Sequence, residues 1–182
     1  MKRILALVCC VLIAGTMFIS CTDSTSTAGT ATLLTLSELR NSAGYTWFDA
    51  EIALYTPDNA LVQQISQAWQ EKKQKVYFFV NPSCTCNGTK KTFPHAIRIL
   101  KDAGIPDSMI VIYSMRSAKD DHPLQSRFTL RGLPSIFITS GTDTRYALQV
   151  IDDQLYGAAP SQPDTPVGSI ALEKAMADGF TR

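Results

Sequence analysis

The chain has no polybasic tract: 17 Lys and Arg against 16 Asp and Glu leave a formal net charge of +1. That balance gives no reason to expect nucleic acid or an anionic surface as a partner. Also missing are a glycine-rich phosphate loop, a pair of carboxylates on a common face and a Ser/His/Asp context, so the chemistries that need them have no footing here. No internal repeat or long low-complexity run follows residue 33. With 45% hydrophobic and 18% charged residues, 182 positions fit one globular domain plus some disordered or processed sequence. Cysteine is scarce where it matters: of five, those at 9, 10 and 21 lie in or at the edge of an apolar N-terminal segment, leaving Cys84 and Cys86 for a folded core.

The hydrophobic runs are short. Ile4 to Ile19 spans 16 residues, against the roughly 20 that a membrane-crossing helix requires. Preceded by Lys2 and Arg3 and ending in small and polar residues, it reads as a targeting signal rather than as fold; a retained membrane helix is the alternative. Thr22 to Thr32 is Ser/Thr-rich, with too few apolar side chains to order itself, and reads as a tether. The expected organisation is a signal peptide over 1–20, an anchor and tether over 21–32, and one domain over 33–182. Phe18-Ile19-Ser20-Cys21 resembles the lipobox of bacterial lipoproteins, with Phe18 in place of the usual Leu. The resemblance implies cleavage before Cys21 and lipid on that residue, hence a location on the extracytoplasmic or periplasmic side of the cell envelope. Thr22 rather than Asp follows the Cys, which points to the outer membrane if the host is Gram-negative. Removing Met1 to Ser20 leaves 15 basic against 16 acidic side chains.

Within the domain, a short helix is expected over Ser37 to Ala43 and an outer strand over Trp47 to Tyr55. Asp58 caps a helix whose Leu61, Val62, Ile65, Ala68 and Trp69 recur at three- and four-residue spacing. Val76 to Val80 is a continuous apolar, β-prone run, as in a strand buried on both faces. A second helix should run from Asn87-Gly88 to about Ala103, stopped by Gly104 and kinked at Pro94. Met109 to Ser114 is a further buried strand, and a short helix is expected near Pro123 to Phe128. Ile136 to Ile138 and Arg145 to Ile151 should form a hairpin around Ser140 to Asp143. Asp152 to Gly168 reads as loop, and Ser169 as the cap of a closing helix through Met176.

This order, with a Cys motif after the first central strand and a Gly-x-Pro before the third, resembles the thioredoxin superfamily over roughly Asp58 to Gly179. Three segments carry the likeness: Val76 to Cys86, the helix containing Pro94, and Phe128-Thr-Leu-Arg-Gly-Leu-Pro134-Ser-Ile-Phe-Ile. The resemblance implies an α/β, three-layer fold with a central mixed sheet flanked by helices. It also implies a cis Pro134 facing the cysteines, with the Leu133 backbone binding an extended substrate strand. Cis X-Pro bonds are a minority of about one in twenty, and an ordinary trans proline opening an edge strand is the alternative. Departures are plain. The family's Cys-x-x-Cys is here Cys84-Thr-Cys86, and Ser83 stands where tryptophan is usual. The carboxylate that many thioredoxins carry in the preceding strand is missing. Counting from the strand puts Cys84 at the nucleophile's place; counting back from Pro94 puts Cys86 there, with Thr89 in place of the resolving cysteine.

A thiol at a helix start meets unpaired N–H groups and the positive end of the dipole, both favouring thiolate, and Lys90 and Lys91 push the same way. A disulfide needs a Cα separation of about 4.4–6.8 Å, whereas two extended steps span roughly 7 Å. A Cys84–Cys86 bridge therefore requires a tight bend, in a smaller ring than Cys-x-x-Cys forms, and should be easier to reduce. Three functions follow. The first is an enzyme, a thiol–disulfide oxidoreductase (oxidant or isomerase) acting on thiols or disulfides of exported proteins, recharged by an unidentified redox partner and needing no cofactor. The second is a Cu(I) site of Cys84, Cys86 and His122, since soft thiolates suit copper and copper-delivery members of the superfamily use two Cys and a distant His. The third is a non-catalytic interaction lipoprotein whose cysteines only staple a loop. His95, next to Pro94, reads as a surface or packing residue.

Overall fold

The computed structural model describes residues 28–82, 84, 86–158, 165–166 and 171–182. The proposed signal, Cys21, most of the tether and Ser169 lie outside the described residues. The elements run β1 (Thr32–Leu34), α1 (Leu36–Asn41), α2 (Phe48–Leu54), α3 (Asn59–Lys72), β2 (Lys75–Val80), α4 (Phe93–Asp102), β3 (Ile110–Ser114), β4 (Ser135–Ser140), β5 (Asp143–Ile151), β6 (Gln154–Ala158), β7 (Thr165–Pro166) and α5 (Leu172–Thr181). The strands form one mixed sheet in the order β1-β3-β2-β4-β5-β6-β7, with β2 and β3 parallel and the other pairs antiparallel. This is an α/β fold with a mixed sheet flanked by helices, compatible with a thioredoxin-like three-layer arrangement. No helix among the described residues is long and apolar enough to cross a membrane.

Strand alternation assigns the two faces. Val76, Phe78 and Val80 of β2 face the main core, where Phe93 of α4 meets the rings of Tyr45, Phe48 and Phe78. Val62, Ile65 and Trp69 of α3 and Met176 and Phe180 of α5 complete that side. Phe79 points the other way, into a second cluster with Tyr113, Met115, Phe128 and Phe137. Each such buried aromatic contributes roughly 1.5–3 kcal/mol relative to an exposed one. The segment over 115–133 supplies this layer. It carries turns over 123–127, where a short helix was expected.

Several boundaries follow local chemistry. Asp58 caps α3 by accepting from the N–H groups of Ala60 and Leu61, and Lys73 ends it in the left-handed conformation. The expected strand over Trp47 to Tyr55 is instead α2: Phe48 and Ile52 stand four residues apart and pack on one side, and the edge beside β3 belongs to β1. Pro94 lies inside the second helical run, as expected, and does not end it. Helical backbone runs unbroken from 87 to 102, and the irregularity next to Pro94 is a π-helical turn, Gly88–Thr92, in which Phe93 N–H donates to Gly88 O immediately before the proline that has no N–H to give. Asp152 to Gly168 is not loop throughout. Asp152 and Asp153, with φ of 49° and 61°, form a two-residue turn joining β5 to β6. The closing helix starts from Ala171 and continues to Thr181, past the expected end. Gly29 and Ala31, read as the end of the tether, donate to Asp120 Oδ1 and Asp121 O and so join the fold.

Candidate functional site

Register brings the site together. Phe79 pairs with Ser135, so Pro134 enters β4 beside the end of β2, only a few residues before Cys84. Cys84 and Cys86 are joined by a disulfide with a Cα separation of 5.3 Å, inside the range such bonds occupy. The chain folds back tightly here: Cys84 N–H donates to Asn81 O at 3.4 Å, and Cys86 N–H points at Cys84 Sγ at 3.2 Å. Cys86 O then accepts from Lys90 N–H at 3.0 Å, opening the helical turn that leads into α4. Both cysteines are half-buried, Lys90 is half-buried and Lys91 is exposed.

The Leu133–Pro134 bond is cis. Around it the backbone is held tightly: Val150 N–H donates to Pro134 O at 2.9 Å, and Arg131 N–H donates to Gln149 Oε1 at 2.8 Å. Ser135 Oγ lies 2.7 Å from Gly132 O and 3.0 Å from Gln149 Oε1, with one proton to place between them. Gly132 is required for this fit, because a Cβ there would lie 1.9 Å from Val150 O.

Cys84, Cys86, Gly132 and Leu133 line one open groove of about 340 Å³, walled by Val150, Ile151 and the exposed turn Asp152-Asp153. The expected pair and the expected Gly-x-Pro loop thus share a surface. Sequence reasoning did not find the β5–β6 wall. Its turn has two aspartates and no glycine, so the usual hairpin signal is missing.

His122 lies elsewhere. It is buried against Phe79, with ring centroids 4.7 Å apart, and does not line the groove. Burial holds its pKa below the usual imidazole value, against the opposing pull of Asp121. Among the described residues no three His, Cys, Asp or Glu side chains converge as a metal site. His95 stacks on Tyr55 at 3.7 Å and its Nε2 lies 2.9 Å from Glu51 Oε1, a packing role on the helical side. The strand before the cysteines offers no carboxylate. The buried Glu173 sits in α5, where it accepts from Tyr55 Oη.

What this geometry can do is thiol–disulfide exchange. A sulfur at a helix start can leave or attack as thiolate, and both cysteines line an open groove. Compared with known proteins, the chain matches no protein-family model, no curated protein and no solved structure.

Proposed function

We propose that this chain is a thioredoxin-like thiol–disulfide oxidoreductase, held at a bacterial envelope membrane through lipid on Cys21, that exchanges disulfides with exported proteins through Cys84 and Cys86. The observation that carries the reading is the Cys84–Cys86 disulfide opening on the same groove as Gly132 and Leu133, beside Pro134. A loop staple has no need of a groove. An exchange site needs one, because the incoming sulfur must approach along the bond it breaks. Either half-buried sulfur can be attacked, and departure from Cys86 is favoured by the helical N–H groups beyond it. The Leu133 backbone, at the groove wall, is suited to hydrogen-bond an extended substrate segment.

The test uses the full chain in detergent, oxidised and mixed with a peptide carrying two free thiols. Wild type should oxidise the peptide to its disulfide and become reduced at Cys84 and Cys86. Cys84→Ser and Cys86→Ser should each abolish this exchange, and the variant that retains the attacking thiol should accumulate a mixed disulfide when given the peptide in its disulfide form. If wild type leaves the peptide untouched and neither variant forms an adduct, the cysteines are a staple and the interaction-lipoprotein reading replaces this one.

A further inference from the structure

Thr89 is fully buried, yet its hydroxyl oxygen has no hydrogen-bond partner. A buried hydroxyl left unmet is unfavourable, and an apolar group of the same shape is better tolerated in such a state. Cys86 is the reactive group that stands nearest along the chain. Cys86 O accepts from Lys90 N–H, so a helical turn opens at Cys86, and Thr89 stands three residues further along it. Residues three apart on a helical turn have Cβ atoms about 5–6 Å apart, a spacing that a thiolate on one and a hydroxyl on the other can close. In the oxidised protein the Cys86 sulfur is bonded to Cys84 and carries no charge to attract a proton.

We propose that Thr89 is a positioning residue for Cys86, its Oγ1–H donating to the Cys86 thiolate once the disulfide is reduced. The hydroxyl is unmet in the disulfide form and met in the reduced form, which tilts the equilibrium toward reduction. This rests on the redox reading of the pair. In the reaction an external dithiol supplies the electrons. Its thiolate attacks Cys84 Sγ, the Cys84–Cys86 bond breaks, and the electron pair leaves on Cys86. The second thiol of the dithiol, deprotonated, attacks the dithiol's own sulfur in the mixed disulfide and releases Cys84, which takes a proton. The dithiol ends as a disulfide, Cys84 as thiol, Cys86 as thiolate, and one proton goes to solvent.

The experiment equilibrates the full chain in detergent with reduced and oxidised dithiothreitol, traps thiols by alkylation and reads the tryptic peptide Val76 to Lys90, which contains both cysteines. Thr89→Val should lower the equilibrium constant for reduction about tenfold, a potential about 30 mV more negative. It should also raise the pH midpoint of Cys86 alkylation, and Thr89→Ser should restore both. Oxidised Thr89→Val should melt at or above wild type, and the reduced variant below it. Wild type and Thr89→Val agreeing in equilibrium constant and pH midpoint would overturn the role of Thr89 while leaving the redox reading intact. Oxidised Thr89→Val melting well below wild type would refute the premise that the hydroxyl is unmet in that form. A wild-type pair that does not exchange would remove the redox reading itself, and this inference with it.

Discussion

Gly88 lies against Pro134 with no room for a side chain between them: a Cβ at Gly88 would stand 3.0 Å from Pro134 Cδ and 2.8 Å from Val150 Cγ1. The start of the helical turn after Cys86, the cis-proline loop and β5 are therefore packed as one unit. The groove's shape depends on that contact.

Gly88→Ala should force these elements apart. Overpacking of this kind costs about 1–3 kcal/mol, and the better helix propensity of alanine returns about 1 kcal/mol. A net loss of about 1 kcal/mol is expected, with slower exchange at the Cys pair. Gly132→Ala should be worse, about 3 kcal/mol, because the clash is with the Val150 carbonyl rather than a side-chain tip. Denaturant midpoints at constant m-value check both.

Much of this was legible in advance, and the misses have physical causes. Val76 to Val80 is apolar throughout because both faces of β2 are covered, and a central strand of that kind leaves a continuous signature. Trp47 to Tyr55 misled because its apolar residues suit a strand by composition; only the Phe48 to Ile52 spacing distinguishes a helix, in a stretch too short for periodicity to dominate. The Asp152-Asp153 turn uses two left-handed aspartates where glycine or asparagine would have announced it, so β6 was hidden. The cysteines and Leu133-Pro134 could be read from motif order. Thr89 was visible only as a departure from Cys-x-x-Cys, since an unmet hydroxyl is a property of packing.

Asp120 should make the N-terminal attachment sensitive to acid. Burial works against its charged form, but N–H groups of Arg116, Gly29 and Ser117 donate to the carboxylate, and the net effect lowers its pKa below 3.8. A depressed carboxylate contributes stability that is present above the unfolded-state pKa and lost as pH falls through the folded one. Asp120→Ala should cost about 2 kcal/mol near pH 7. The gap to wild type should narrow below about pH 4. Urea melts across pH 2.5–7 measure it, and a gap independent of pH would contradict the assignment.

The anchor reading predicts that the mature chain begins at Cys21 and carries lipid. Intact mass of the chain from membrane fractions should show the loss of Met1 to Ser20 and the added acyl mass. Cys21→Ser should release the chain from the membrane with its Cys84–Cys86 chemistry unchanged. Met1 retained, or a soluble product starting elsewhere, would remove the anchor.

The central claim is that Cys84 and Cys86 form an exchangeable bond, and the most direct measurement is its reduction potential. The full chain in detergent is equilibrated against glutathione and dithiothreitol buffers, and the Val76 to Lys90 peptide is read after thiol trapping. The two-residue spacing closes a small ring, and the helix start favours the thiolate, so the midpoint should lie above about −230 mV, in the range of exchange catalysts. A bond that survives buffers poised below about −300 mV, as structural disulfides do, or a pair that stays reduced in air, would contradict the account.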